Sequence, residues 1–186
     1  MGSPDELVDE VDADDRVLRT VTRAEMRSRR LRHRSVFVVV QSSTDEVLVH
    51  RRAEHKDVWP GRWDLAAGGV VSSGESYDDA AVRELAEELG IVDVPVERLG
   101  RGSYDDADVS EVTVVYRVRW DGRIRFADGE VIEVRWMTLA DLQRAAGRRP
   151  GSIGGRPSTA GSGGAESALT ALDFVPDSVA LALPLL

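Results

Sequence analysis

A chain of 186 residues with 42% hydrophobic content has the size of one ordinary domain and can bury a core without covalent staples. Its 33 acidic against 24 basic residues give a net charge of -9, which leaves no cationic excess for holding nucleic acid, and the absence of cysteine excludes disulfides, zinc–thiolate sites and thiol nucleophiles. The acidic start MGSPDELVDEVDADD has no apolar leader region, and no apolar run reaches the roughly 18 residues of a membrane span, so the expectation is a cytoplasmic protein that binds no membrane.

Residues 1–30 read as an N-terminal extension: a small hairpin in LVDEVDADDRVLRTV, then a basic helical turn in TRAEMRSRRL, together covering one edge of a sheet. The main domain then runs from 31 to 186. SVFVVVQ (35–41) is a β-branched run, EVLVHRR (46–52) alternates, and the turn-forming SSTDE between them predicts a hairpin. A helix follows, then two alternating strands in EVTVVYRVRW (111–120) and EVIEVRWMTL (130–139), and a second helix in TLADLQRAA with Thr138 as N-cap. The Gly/Ser/Pro-rich stretch 147–165 has almost nothing to bury and reads as a flexible loop, whereas the closing DFVPDSVALALPLL reads as a short helix docking on the body. The order strand, strand, helix, strand, strand, helix is α+β, with a mixed or antiparallel sheet. Only Lys56 among the basic residues is lysine, a skew typical of GC-rich bacterial coding.

The segment GGVVSSGESYDDAAVRELAEELGI (68–91) sets six carboxylates against one arginine. Ser76 with Asp79 forms a capping box and Gly90 supplies the C-terminal stop, which predicts a helix over 77–89 with Ala81, Leu85 and Leu89 on the sheet. Glu84, Glu87 and Glu88 then stack on another face, where like charges destabilise a helix. Arg83 reaches Glu87 and Glu75, but one arginine does not neutralise four carboxylates. A hard divalent cation does, since Mg²⁺ and Mn²⁺ take oxygen ligands and leave positions for water and phosphate. The competing reading is an ordinary solvated glutamate face.

The wider spacing decides between them: Gly69, five residues, Glu75, seven residues, Arg83-Glu84, an aliphatic, any residue, Glu87-Glu88, any residue, Gly90, an aliphatic. This resembles the Nudix box of the Nudix hydrolase superfamily. RHRSVFVVV, VHRRAEHKDVWPGRWDLAAGG and DGEVIEVRWMTLADL further resemble its isopentenyl-diphosphate-isomerase-like branch, so the likeness covers about residues 5–146. The resemblance implies a mixed β-sheet sandwiched between α-helices, a Mg²⁺ or Mn²⁺ cofactor, and hydrolysis of a nucleoside diphosphate linked to another moiety. It further implies Glu87 and Glu88 as principal metal ligands, Glu84 as ligand or base, and Arg83 as the residue that orients the glutamates. Glu75 is then a supporting carboxylate and the Gly68 carbonyl a further ligand.

Outside the box, Glu130 and Glu133 near the last strand are nominated as an additional ligand or base. Arg51 and Arg52 alternate across a strand, so at most one faces the pocket to hold phosphate. Trp59 and Trp63 flank a turn that stacks a base or packs under the loop, and His33 matches a position that isomerases use. Those isomerases also need a cysteine and a histidine where this chain has Ala67 and Gly69, which argues against isomerisation. A catalytically silent ligand sensor is the other alternative, disfavoured by an intact box. The expected partner is a small-molecule diphosphate, with the protein a monomer or homodimer.

Overall fold

A computed structural model describes residues 3–126, 129–147 and 172–186; the predicted flexible loop, apart from Gly147, lies outside the described residues. The architecture is α+β, centred on β3 (His33–Gln41). An uninterrupted apolar run belongs in a strand covered on both faces, and β3 is one. Val36, Val38 and Val40 point to the layer of α2 (Tyr77–Leu89), packing with Ala81, Leu85 and Leu89. Phe37 and Val39 point to the opposite layer, where Leu142 and Ala145 of α3 (Leu139–Ala146) and Phe174 cover them. Helices thus lie on both faces of the sheet.

Along its edges, β3 runs parallel to β8 (Ser110–Arg119), from His33↔Glu111 to Gln41↔Arg119, and antiparallel to β6 (Ala67–Val70). Strand β8 also pairs with β7 (Glu97–Asp105), a strand that sequence reading passed over because its glycines and arginines give no apolar alternation. The expected β3–β4 hairpin is present but short: β4 (Val47–Arg52) pairs antiparallel with β3 at Gln41↔Val47, the Ser42 N–H donating to the Glu46 carbonyl across the turn, and then pairs with β9 (Val131–Met137) and with β5 (Trp63–Asp64). Both edges of β3 are taken by β6 and β8 over most of its length, so β4 extends the same sheet outward through β9 and β5.

In the extension, β1 (Leu7–Val11) and β2 (Val17–Thr22) form an antiparallel hairpin, followed by α1 (Arg23–Ser28) with Thr22 accepting from the Glu25 N–H. Val8, Val21 and Met26 close on Val70, and Glu10 pairs with His33, so the extension packs against the end of β3 and β6. At the other terminus α4 (Pro176–Leu181) follows a segment in which Trp63 and Val175 exchange backbone bonds with Asp173 and Trp63. Among the described residues no helix is long and apolar enough to cross a membrane.

Candidate active site

The predicted helix is present with the predicted ends. Asp79 N–H donates to the Ser76 hydroxyl at 3.1 Å, and Gly90 takes the left-handed conformation (φ 64°) that ends α2. Its packing against β6 is close because Gly69 faces it, while Gly68 beside it lies hard against β3. A Cβ on Gly69 would lie 2.3 Å from the Glu84 carboxylate, and one on Gly68 would lie 2.1 Å from the Val36 carbonyl oxygen. This approach buries Glu84 and Glu88, 8% and 2% exposed, while Glu87 stays in solvent.

Arg83 organises the carboxylates. Its Nε and Nη2 grip both oxygens of Glu75 at 2.8 and 2.9 Å, its Nη1 donates to Glu84 at 2.6 Å and to Glu87 at 3.4 Å, and Nη2 also reaches the Val70 carbonyl at 3.2 Å. These bonds to Glu75 raise the guanidinium pKa, and they hold the Glu75 carboxyl below its usual range although burial works the other way. Burial raises Glu84, with Arg83 opposing. Glu88 accepts from the Gly68 N–H at 3.2 Å, and burial pushes its pKa up to about 8, against the pull of Lys56.

Lys56 is the residue that sequence reading missed. Its Nζ lies 3.6 Å from Glu88 and bonds directly to Glu130. Burial would raise the Glu130 pKa, but Lys56 outweighs it and holds the group at about 2. The expectation that Arg83 alone opposes the carboxylates is therefore corrected: two cations, one on each flank, hold the glutamates apart. Consistent with this, among the described residues no three Asp, Glu or His side chains are placed as a finished metal cage. The signal available was that this chain uses arginine everywhere else.

A cleft of about 410 Å³ opens between α2, Lys56 and the extension, lined by Glu84, Glu87, Glu130, Arg83, Arg23 and the Gly68–Gly69 strand. Its carboxylate, carbonyl and hydroxyl donors contain no sulfur and suit a hard divalent cation. The desolvation of Glu84 and Glu88 fits such an ion too, because a cation would relieve it.

Behind the same glycines lies a second cavity of about 60 Å³, with Arg52, His33, Glu111 and Asp177 in its walls. Ser35 donates to Glu111 at 2.9 Å. Burial lowers the His33 pKa to about 3 and raises Glu111 and Asp177, which repel each other. Glu111 and Asp177 escaped sequence reading because they sit in apolar-looking strand and helix segments.

The other nominated residues divide. Glu130, just before β9, enters the cleft; Glu133, opposite Arg51 on β9, pairs with Arg135 instead. Arg52 lines the inner cavity, bonding to Asp64 and the Val58 carbonyl, while Arg51 turns away to Gly61 and Glu54. Trp63 is buried under Arg135 and beside Phe174, a packing residue. Trp59 stands edge-on to Tyr104 at 6.4 Å and lines both the inner cavity and an outer cleft.

A helix whose buried glutamates and clamping arginine face a glycine strand defines a Nudix-type site, and the comparisons agree. The NUDIX domain family model matches residues 31–153. Nudix hydrolases of Pseudomonas aeruginosa (42% identical, 71% of this chain and 78% of theirs) and Streptomyces coelicolor (45%, 73% and 75%) are similar to it. Among solved structures, DR0079 from Deinococcus radiodurans superposes with a TM-score of 0.66 at 28% identity, covering 76% of this chain and 90% of that one. The NUDIX domain of Shewanella oneidensis NrtR, crystallised with ADP ribose, gives 0.52 at 25%, covering 67% and 88%. The chain belongs to the Nudix family and, like the Pseudomonas and Streptomyces relatives, is a Nudix hydrolase.

Proposed function

We propose that this enzyme is a divalent-metal-dependent pyrophosphohydrolase that cleaves a nucleoside diphosphate linked to another moiety. The observation that carries this reading is the Arg83 clamp, which fixes Glu75 and Glu84 together at the mouth of a cleft also walled by Glu87 and Glu130. The ligand of the NrtR Nudix domain, ADP ribose, belongs to the same substrate class and supports it. Mg²⁺ or Mn²⁺, held by Glu84, Glu87, Glu88 and the Gly68 carbonyl, would supply charge compensation for the diphosphate oxygens and an acidified water. The chain's own groups do the rest. Arg83 keeps Glu84 oriented, and Glu84, its basicity raised by burial, is the carboxylate suited to take a proton from the attacking water. Water oxygen bonds to phosphorus as the anhydride P–O bond breaks, and the leaving phosphoryl oxygen departs with the electron pair. Lys56 fixes Glu88 and Glu130 from the far side of the cleft.

Isomerisation has no support, since Ala67 and Gly69 offer no proton-transfer group. The test is Glu87→Gln, assayed for phosphate release across dinucleoside polyphosphates, nucleotide sugars and ADP ribose, with metal-induced thermal stabilisation read in parallel. The variant should turn over at least about 10²-fold more slowly, the scale of losing one electrostatic stabiliser, and gain less stability from Mg²⁺. Unchanged turnover together with unchanged metal stabilisation would refute the metal site.

A further inference from the structure

The extension does more than cover an edge. Helix α1 presents Arg23 and Arg27 at i and i+4, one turn apart on one face. Arg23 lines the box cleft, donating Nη1 to Glu6 at 3.0 Å while its Nε is buried without a partner. Arg27 lines the inner cavity and also the outer cleft of about 590 Å³ beside Trp59 and Arg62. Its guanidinium makes no hydrogen bond or ion pair with any described residue, and its Nε is buried. Across the inner cavity Arg52 also leaves its Nε buried and unmatched. Three orphaned guanidinium donors therefore surround the Gly68–Gly69 strand.

Such a cluster is costly by itself. Burial depresses the Arg27 pKa, and the neighbouring charges of Arg23 and Arg52 depress it further, against the pull of Glu111 and Asp57. The acids in the cavity wall bond elsewhere: Asp64 pairs with Arg52, Glu111 accepts from the Ser35 hydroxyl and Asp177 accepts from the Ser178 N–H, so none of them bonds to Arg27. The remaining space exceeds the roughly 10–15 Å³ that one water needs. An oxyanion with several acceptor oxygens supplies acceptors to Arg27 and Arg52 together across the cavity that both line, and guanidinium forks suit phosphoryl geometry.

We propose that Arg27 and Arg52 hold a phosphoryl group of the substrate, so that the N-terminal extension is a substrate-binding element. The role of that phosphoryl group as substrate rests on the hydrolase reading; the anion site does not.

The experiment uses the full chain and Arg27→Met, first in EDTA with inorganic pyrophosphate as the probe. Without ligand the variant should melt at or above the parent temperature, because a largely buried guanidinium with no bonded partner is gone; with pyrophosphate the parent should gain stability and the variant lose most of that gain. With metal and whichever substrate the hydrolysis panel identifies, KM should rise at least about tenfold, the scale of one charged hydrogen bond, with kcat changed less than about threefold. Arg27→Lys, which keeps the charge but not the fork, should fall between. Equal pyrophosphate stabilisation in parent and Arg27→Met overturns the site, as does failure of that variant to fold, because Arg27 would then serve the structure. Lost pyrophosphate stabilisation with unchanged KM would make free phosphate the occupant and overturn the substrate role. Glu87→Gln separates the two proposals: it should keep the pyrophosphate response in EDTA while losing turnover, and failure of the parent to hydrolyse any compound of the panel, with its pyrophosphate response intact, would sink the hydrolase reading alone.

Discussion

At the scale of single residues, the site depends on two side chains that are missing. Gly68 and Gly69 are adjacent on β6, yet an added methyl meets different things at each. At Gly69 it meets the end of the flexible Glu84 side chain at 2.3 Å, which can move aside; at Gly68 it meets the Val36 backbone carbonyl at 2.1 Å, which moves only with the β3–β6 ladder. Gly69→Ala should therefore fold normally and lose activity, at least about tenfold in kcat, because Glu84 leaves the Arg83 clamp. Gly68→Ala should lose about 1–3 kcal/mol of stability from overpacking. Denaturant melts and kinetics on both variants check the contrast, and a Gly69→Ala enzyme of parental activity would show that the position of Glu84 is irrelevant to turnover.

At the scale of elements, α2 is a rigid shelf for the box, and its sequence specifies both ends. The Ser76 cap satisfies an N–H that would otherwise be unpaired, so Ser76→Ala should cost about 1 kcal/mol in chemical denaturation. Because the sheet-facing residues Ala81, Leu85 and Leu89 hold the rest of the helix, turnover of the folded enzyme should stay within about twofold. A large activity loss without a stability loss would mean that the first turn itself touches substrate. The extension follows a different logic. Its strand and helix positions are local matters, whereas the direction in which Arg23 and Arg27 point follows from the packing of Met26 against Val70.

At the scale of the whole molecule, buried ionisable groups give stability a pH dependence. His33 and His50, lowered by burial to about 3 and about 4, favour the folded state above the ordinary histidine value; their contribution is lost as pH falls and is complete by about pH 7. Glu88, raised to about 8, together with Glu111 and Asp177, also raised, works in the opposite sense. A carboxyl whose folded pKa lies above its unfolded value contributes stability at low pH and loses it as pH rises through the folded value. The metal-free protein should consequently have a lower denaturation midpoint at pH 9 than at pH 7, and Asp177→Asn should reduce that difference. Identical parental midpoints at the two pH values would refute the burial of these carboxyls as acids. As for what could be read beforehand, helix α2, its caps, its apolar face, the β3 run and the box residues were legible because each is written in local spacing: period, cap and turn chemistry act within a few residues of sequence. The pairing of β4 with β9 along most of its length, the entry of Glu130 but not Glu133 into the cleft, and the meeting of Lys56 with Glu88 were decided only by tertiary structure. Contacts such as Lys56 with Glu130, or Arg27 opposite Arg52, join segments whose separation along the chain carries no periodic signal, so only the closed core brings their charges within reach of one another.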